Sequence, residues 1–176
     1  MNSYVALLRA VNVGGTGRLS MKDLVSLAAR AGLMEPQTYI QSGNLVFRSD
    51  ASETELVDLL EAALKQEVGL ATNVLVRTWA DLTALHNANP FPDAAPNQLG
   101  ILFLPTAWDG DPLAGAGGVT DELVAMAEGS ARREIYVHFP SGMGKSRLRL
   151  DAMKDPRYGG TMRNLNTVRK LIALSA

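Results

Sequence analysis

The fold is decided by residues 37–68, which read QTYIQSGNLVFRSDASETELVDLLEAALKQEV. Two β-type segments, Gln37 to Gln41 and Asn44 to Arg48, flank Ser42-Gly43, and a glycine-containing two-residue turn predicts a β-hairpin. The capping box Ser52 to Glu55 then predicts the start of a helix. Apolar residues follow at helical spacing and predict one buried face, namely Leu56, Leu59, Leu60, Ala63, Leu64 and Val68.

Elements on either side complete a β-α-β-β-α-β order. Tyr4 to Leu8 is a short apolar run, which is typical of a central strand buried on both faces. Ser20 starts a helix that Gly32 ends, and Val74 to Val76 form a fourth strand. The sequence therefore predicts a ferredoxin-like split βαβ subdomain over residues 1–78. Its predicted core contains Leu7, Leu24, Leu27, Val46, Leu59 and Val76.

A second, partial α/β subdomain is predicted over residues 79–176. Its predicted elements are a helix starting at Thr78 to Asp81, a strand from Leu99 to Leu104, a surface loop over 105–118, a short helix after Thr120, a strand from Glu134 to Phe139 and a helix from about Leu165 to Leu174. Arg163 is expected at the start of this last helix. We expect an α+β protein whose two subdomains pack as one compact unit.

Composition excludes several classes of protein. The chain has 176 residues, of which 47% are hydrophobic and 20% charged, an ordinary globular balance. It has no cysteine, which excludes disulfides and thiolate catalysis. The first apolar stretch lacks a preceding basic region and is broken by Arg9, so we expect no signal peptide, no membrane partner and a cytoplasmic location. With two histidines, we predict no metal site and no cofactor.

The charge is distributed unevenly along the chain. Residues 1–131 have seven Lys or Arg against fifteen Asp or Glu, whereas residues 132–176 have ten against three. A basic last third on an acidic body points to an anionic partner. The alternative is that the acidic and basic parts pair with each other inside the molecule.

Two glycine-rich loops follow predicted strands, NVGGTGR over Asn12 to Arg18 and PSGMGKSR over Pro140 to Arg147. Such loops can present free backbone amides to a phosphate. Neither loop has the glycine spacing of a P-loop or of a dinucleotide-binding turn. We predict one anion site formed by Asn12, Gly14, Gly15, Lys145, Ser146, Arg147 and Arg163. The alternative is two tight turns whose basic residues are solvated or pair with acids such as Asp151 and Asp155.

Several blocks together resemble a known bacterial family, domain of unknown function 1697. The blocks are LLRAVNVGG, YIQSGNLVF, VRT followed by ANPFP, GMGKSRL and TMRNLNTVRKL, and they span Tyr4 to Leu171 in the family's order. The chain departs from the family at Ala10, where glycine is usual, and at Leu165, where tryptophan is frequent. The resemblance implies an α+β fold of two related subdomains in a cytosolic protein. It implies no activity and no catalytic residues.

Three functions remain open at this stage. The first is a binding protein for a phosphate-bearing ligand, either a nucleotide or a nucleic acid. The second is an enzyme that acts on a small phosphorylated or carboxylated metabolite, although no residue pattern identifies its base or nucleophile. The third is a structural or oligomeric protein without a ligand, since the sequence does not indicate an oligomeric state.

Overall fold

A computed structural model describes residues 1–13, 18–129, 131–154 and 159–176. The chain forms two compact units. Unit 1 contains residues 1–82 and 170–176, and unit 2 contains residues 83–169. Both units combine helices with an antiparallel four-stranded sheet, which confirms the predicted α+β class. The sequence-based division at residue 78 stays a prediction.

Unit 1 has the element order β-α-β-β-α-β. The elements are β1 (Asn2–Leu8), α1 (Met21–Arg30), β2 (Met34–Thr38), β3 (Asn44–Ser49), α2 (Glu53–Val68) and β4 (Val74–Thr78). The sheet order is β2-β3-β1-β4. Trp79–Asn87 form α3, which begins in this unit. The predicted capping box is confirmed, because Ser52 and Glu55 exchange side-chain and backbone hydrogen bonds at the start of α2.

The core of unit 1 lies between its sheet and helices α1 and α2. Tyr4, Ala6 and Leu8 of β1 pack in one buried cluster with residues of both helices. Helix α2 contributes residues four positions apart, Leu56, Leu60 and Leu64, each of which is fully buried. The prediction of Leu59 in the core is wrong, because this residue is 38% exposed. The other five predicted core residues are buried.

The β2–β3 connection is longer than predicted. The strands stop at Thr38 and start again at Asn44, so five residues join them instead of two. The Asn44 side-chain amide donates to the Tyr39 carbonyl at 2.9 Å and to the Ser42 hydroxyl at 3.1 Å. These hydrogen bonds tie the Asn44 side chain to the connection between the two strands. Gly43 has φ +77°, and a Cβ there would lie 2.9 Å from the Cβ of Leu8.

Unit 2 repeats the sheet topology of unit 1. Its strands are β5 (Leu99–Phe103), β6 (Leu123–Met126), β7 (Glu134–His138) and β8 (Thr161–Asn164), in the order β6-β7-β5-β8. Helix α4 (Asp151–Lys154) is short, and α5 (Leu165–Ser175) begins in this unit. One buried cluster contains Leu102, Ile135, Val137, Phe139 and Leu150 among other residues.

Two predictions in the second half are wrong. The helix expected after Thr120 is strand β6, because the Glu122 carboxylate accepts from the Thr120 backbone N–H at 2.7 Å and the next four residues pair with β7. Arg163 lies on β8 and not in the last helix. That helix begins after Asn164, whose side-chain oxygen accepts from the Thr167 N–H at 2.9 Å.

Candidate functional site

Residues 146–150 form an extended segment that follows a short 3-10 helical turn, Met143–Lys145, and the side-chain environments alternate from Lys145 onward. Lys145, Arg147 and Arg149 are exposed, Ser146 and Leu148 are half-buried, and Leu150 is fully buried. Alternation with a period of two directs every second side chain to one side of an extended chain. Arg147 and Arg149 therefore lie on one side of the segment, and we call these two residues, together with the exposed Lys145 that precedes the segment, the cation strip.

A glycine-rich segment holds Arg147 to Arg149 in an extended form. Gly117 and Arg149 form an antiparallel bridge, with N–H to carbonyl distances of 2.9 and 2.7 Å. A Cβ at Gly118 would lie 2.1 Å from the Arg147 carbonyl oxygen. A side chain at position 118 would therefore push the two segments apart. The glycines of the predicted surface loop allow this close approach.

The serine of the basic loop contacts a buried acid. The Ser146 hydroxyl donates a short hydrogen bond to the Glu122 carboxylate and accepts from the Leu148 N–H at 3.1 Å. The hydrogen bond from Ser146, with a second from the Thr120 backbone, lowers the pKa of Glu122 to about 2. Glu122 is thus ionised at neutral pH and accepts the hydrogen bond of the Ser146 hydroxyl. This serine fixes the segment and is not poised to donate to an external anion.

The cations of the strip are not neutralised in the described part of the chain. Among residues 1–13, 18–129, 131–154 and 159–176, no carboxylate forms an ion pair with Lys145, Arg147 or Arg149. The nearby acids bind hydroxyl groups instead, since Asp121 accepts from Ser141 at 2.6 Å. Of the two acids suggested as internal partners, Asp151 pairs with Lys154 at 3.1 Å, and Asp155 lies outside the described residues.

Arg163 occupies a different environment from the strip. It is 7% exposed, and its guanidinium donates to the Thr161 hydroxyl at 2.7 Å and to the Met162 carbonyl at 3.0 Å. Burial lowers the pKa of Arg163 to about 10, so the side chain stays charged at neutral pH. Joint binding of one anion by Arg163 and Lys145 stays a prediction.

Asn12 lies in unit 1 and holds its own loop together. Its side-chain amide donates to the Leu19 carbonyl at 2.7 Å and to the Gln41 carbonyl at 2.9 Å, and its oxygen accepts from the Leu19 N–H at 2.9 Å. Asn12 adopts φ +56°, a left-handed conformation that asparagine tolerates well. The predicted site residues Gly14 and Gly15 lie outside the described residues.

Two residues of this arrangement were missed in the sequence analysis. Arg149 was visible, because KSRLRL alternates charged with uncharged residues from Lys145 onward. Glu122 was not visible, because its contact with Ser146 joins positions that are 24 residues apart. A local pattern contains no signal for such a pair.

Other features of the described residues do not add to this site. A separate cavity of about 540 Å³ in unit 1 contains none of the predicted site residues. In the part of the chain that the structure describes, no group of three or more His, Cys, Asp or Glu side chains could hold a metal ion. None of the described helices has the length and apolar character required to cross a bilayer.

The fold and this surface define a class of protein, an α+β chain with two like-ordered antiparallel sheets and an exposed cationic segment. Residues 1–131 match the family described as protein of unknown function (DUF1697), and the chain belongs to this family. The family resemblance of the sequence is thereby confirmed. The blocks GMGKSRL and TMRNLNTVRKL lie beyond the matched residues.

A solved structure has the same fold. The chain is similar to a conserved bacterial protein from Streptococcus pneumoniae, with a TM-score of 0.76 and 23% sequence identity. The likeness covers 99% of each chain, and at this identity it shows the fold alone. No curated protein matches the sequence.

Proposed function

We propose that this protein binds a phosphate-bearing ligand, and that the cation strip is the contact surface. One observation carries the proposal. Arg147 and Arg149 are exposed on one side of an extended segment, Lys145 is exposed in the turn just before it, and no described carboxylate pairs with any of the three. Three adjacent cations repel each other, so their common placement favours a polyanionic ligand.

The spacing of the strip favours a chain of phosphates over a single phosphate. Two residues of extended chain span about 7 Å, which separates the backbone positions of Arg147 and Arg149. One phosphate group carries at most about two negative charges, fewer than the three positive charges of the strip. A nucleic-acid backbone offers a charge for each cation. A nucleic acid is therefore the favoured ligand, and a cytoplasmic location is part of the proposal.

The contacts that fix the backbone of the cation strip lower the entropic cost of ligand binding. The Gly117–Arg149 bridge and the Ser146–Glu122 hydrogen bond already fix the backbone of the segment. A segment that is ordered before binding loses less conformational entropy when the ligand arrives. In this proposal Ser146 positions the cations, while Lys145 and Arg147 contact phosphate.

The remaining predicted site residues keep subsidiary roles in the proposal. The charge of Arg163 adds to the positive potential of unit 2 from a buried position. Asn12, Gly14 and Gly15 would contact the ligand only if it extends to unit 1. We also propose that both units are ferredoxin-like, because each sheet orders its four strands in the same way.

The test is binding of a fluorescently labelled single-stranded oligonucleotide, measured by anisotropy at several salt concentrations. If three phosphates are neutralised, the logarithm of the binding constant falls with the logarithm of salt concentration with a slope of about −2. The double variant Lys145→Gln/Arg147→Gln should lower that slope to about −0.7. A matched control with the same charge change on exposed sites of unit 1, Lys22→Gln/Lys65→Gln, should keep the wild-type slope.

Other outcomes assign the function differently. A mononucleotide that competes fully, with a slope near −0.7, would indicate a pocket for one phosphate, as the enzyme hypothesis requires. Equal losses in the two double variants would show that binding follows net charge and not the strip. Absence of binding to oligonucleotide, nucleotide and inorganic phosphate would favour the structural hypothesis.

A further inference from the structure

Strand β6 is an edge strand that lacks the features by which edge strands usually avoid pairing with another strand. It lies at one end of the β6-β7-β5-β8 order, and its four residues, Leu123 to Met126, are all apolar. Leu123 is 51% exposed. The edge strand β2 of unit 1 differs, because it contains Glu35 and Pro36 and has a register shift between Met34 and Gln37. Charge, proline and bulges are the devices by which edge strands avoid further pairing.

The register shows which backbone groups face outward. Ala127 donates its N–H to the Glu134 carbonyl, so that pair is hydrogen-bonded. Hydrogen-bonded pairs alternate along an antiparallel ladder, so Ala125 and Leu123 also point toward β7. The N–H and C=O groups of Val124 and Met126 therefore point away from the sheet. Within the described ranges, no group outside β7 bonds to β6.

Acidic residues stand at both ends of β6. Asp121 and Glu122 precede the strand, and Glu128 follows it. Asp121 and Glu128 are exposed acidic side chains, and hydrogen bonds from Ser146 and Thr120 lower the pKa of Glu122 to about 2. In an antiparallel pair of two copies in which Val124 pairs with Met126, Glu122 of one copy would lie opposite Glu128 of the other. Like charges in that position oppose self-pairing.

We propose that β6 accepts an extended peptide strand that is apolar in its centre and basic at its ends. Pairing supplies bonds to the two outward N–H and two outward C=O groups of Val124 and Met126, as in other cases of strand addition. The apolar side chains of β6 give the peptide's alternate residues a surface to pack on. The acids at both ends select lysine or arginine in the flanks of the peptide and disfavour a second copy.

The test uses a capped peptide with alternating valine and threonine between terminal lysines, titrated into the full chain and followed by fluorescence and amide hydrogen exchange. Binding should protect the amides of Val124 and Met126. N-methylation of the peptide on the edge that faces β6 should weaken binding more than about tenfold, since hydrogen bonds are lost and the methyl groups clash. N-methylation on the outer edge should leave the affinity unchanged.

Two variants of the protein test the same contact without any change to the peptide. Val124→Pro removes an outward N–H without removing a bond to β7, and it should abolish binding. Glu128→Lys should weaken the lysine-flanked peptide about threefold or more, whereas the exposed control Asp58→Lys should not.

Any of three results would overturn the proposal. The first is equal binding of a glutamate-flanked peptide, and the second is equal weakening by N-methylation on either edge. The third is a wild-type dimer, seen by sedimentation, that Val124→Pro dissociates, because the occupant would then be a second copy.

Discussion

The two adjacent leucines of helix α2 should differ sharply when each is truncated to alanine. Leu60 is fully buried, whereas Leu59 is 38% exposed. Truncation of leucine to alanine removes three carbon groups, which are worth about 2.4 kcal/mol when fully buried. For Leu60 the cavity left behind raises the cost to about 3–4 kcal/mol. For Leu59 only about 60% of the transfer energy applies, near 1.5 kcal/mol, and water fills the space.

The predicted difference of about 2 kcal/mol corresponds to roughly 30-fold in the unfolding equilibrium constant. The chain has two tryptophans, Trp79 in unit 1 and Trp108 in unit 2. In a Trp108→Phe background, the fluorescence of Trp79 therefore reports on unit 1 during urea unfolding. Both alanine variants are compared in that background, so any effect of Trp108→Phe cancels.

The result that refutes this reasoning is equal destabilisation by the two variants, or a larger loss for Leu59→Ala. Either outcome would mean that α2 is rotated about its axis relative to the face containing Leu56, Leu60 and Leu64. A small difference in the predicted direction, below about 0.5 kcal/mol, would also count against the assigned packing, since the working estimate is several times larger.

Three further predictions concern a cap, a loop and an acid. Ser52→Ala should cost about 1 kcal/mol in urea unfolding, because it removes the N-cap of α2. Asn12→Ala should destabilise unit 1 more than Asn12→Gly, since both lose the side-chain hydrogen bonds but alanine disfavours φ +56°; a reversed order would contradict the backbone assignment. The pKa of Glu122 is lowered from 4.5 to about 2 by Ser146, so its contribution is complete above pH 4.5 and is lost as the pH falls toward 2. Acid unfolding followed by Trp108 fluorescence should show this loss in the wild type and not in Glu122→Gln.

Local signals predicted the elements whose causes are local. The capping box at Ser52 and the N-cap at Ser20 are confirmed because a helix start depends on side chains within a few residues. The buried strand Tyr4 to Leu8 is confirmed because a continuous apolar run has few other solutions. The proposed anion site rests on the same kind of signal, glycines and cations close together in sequence.

Errors arose where partners distant in sequence decide the outcome. Leu59 fits the helical stripe, but the width of the buried face depends on what packs against α2. The sequence around Arg163 resembles the start of a helix. Residues 161–164 nevertheless pair with β5, so they form a strand of the sheet. The alternation of charged and uncharged residues that predicts an exposed Arg149 is visible in the sequence. The bridge to Gly117 that fixes the backbone at Arg149 is not.

The division of the chain into units has a consequence for folding during synthesis. Unit 1 needs residues 170–176, which follow all of unit 2 along the chain. The Trp79 indole donates to the Ile172 carbonyl at 3.2 Å, a contact that does not exist until α5 has been made. A ribosome therefore releases every residue of unit 2 before it supplies the last segment of unit 1. Unit 1 therefore begins to be synthesised first but receives its last segment only after unit 2 has been made. Its sheet can take up residues 170–176 only at that late stage.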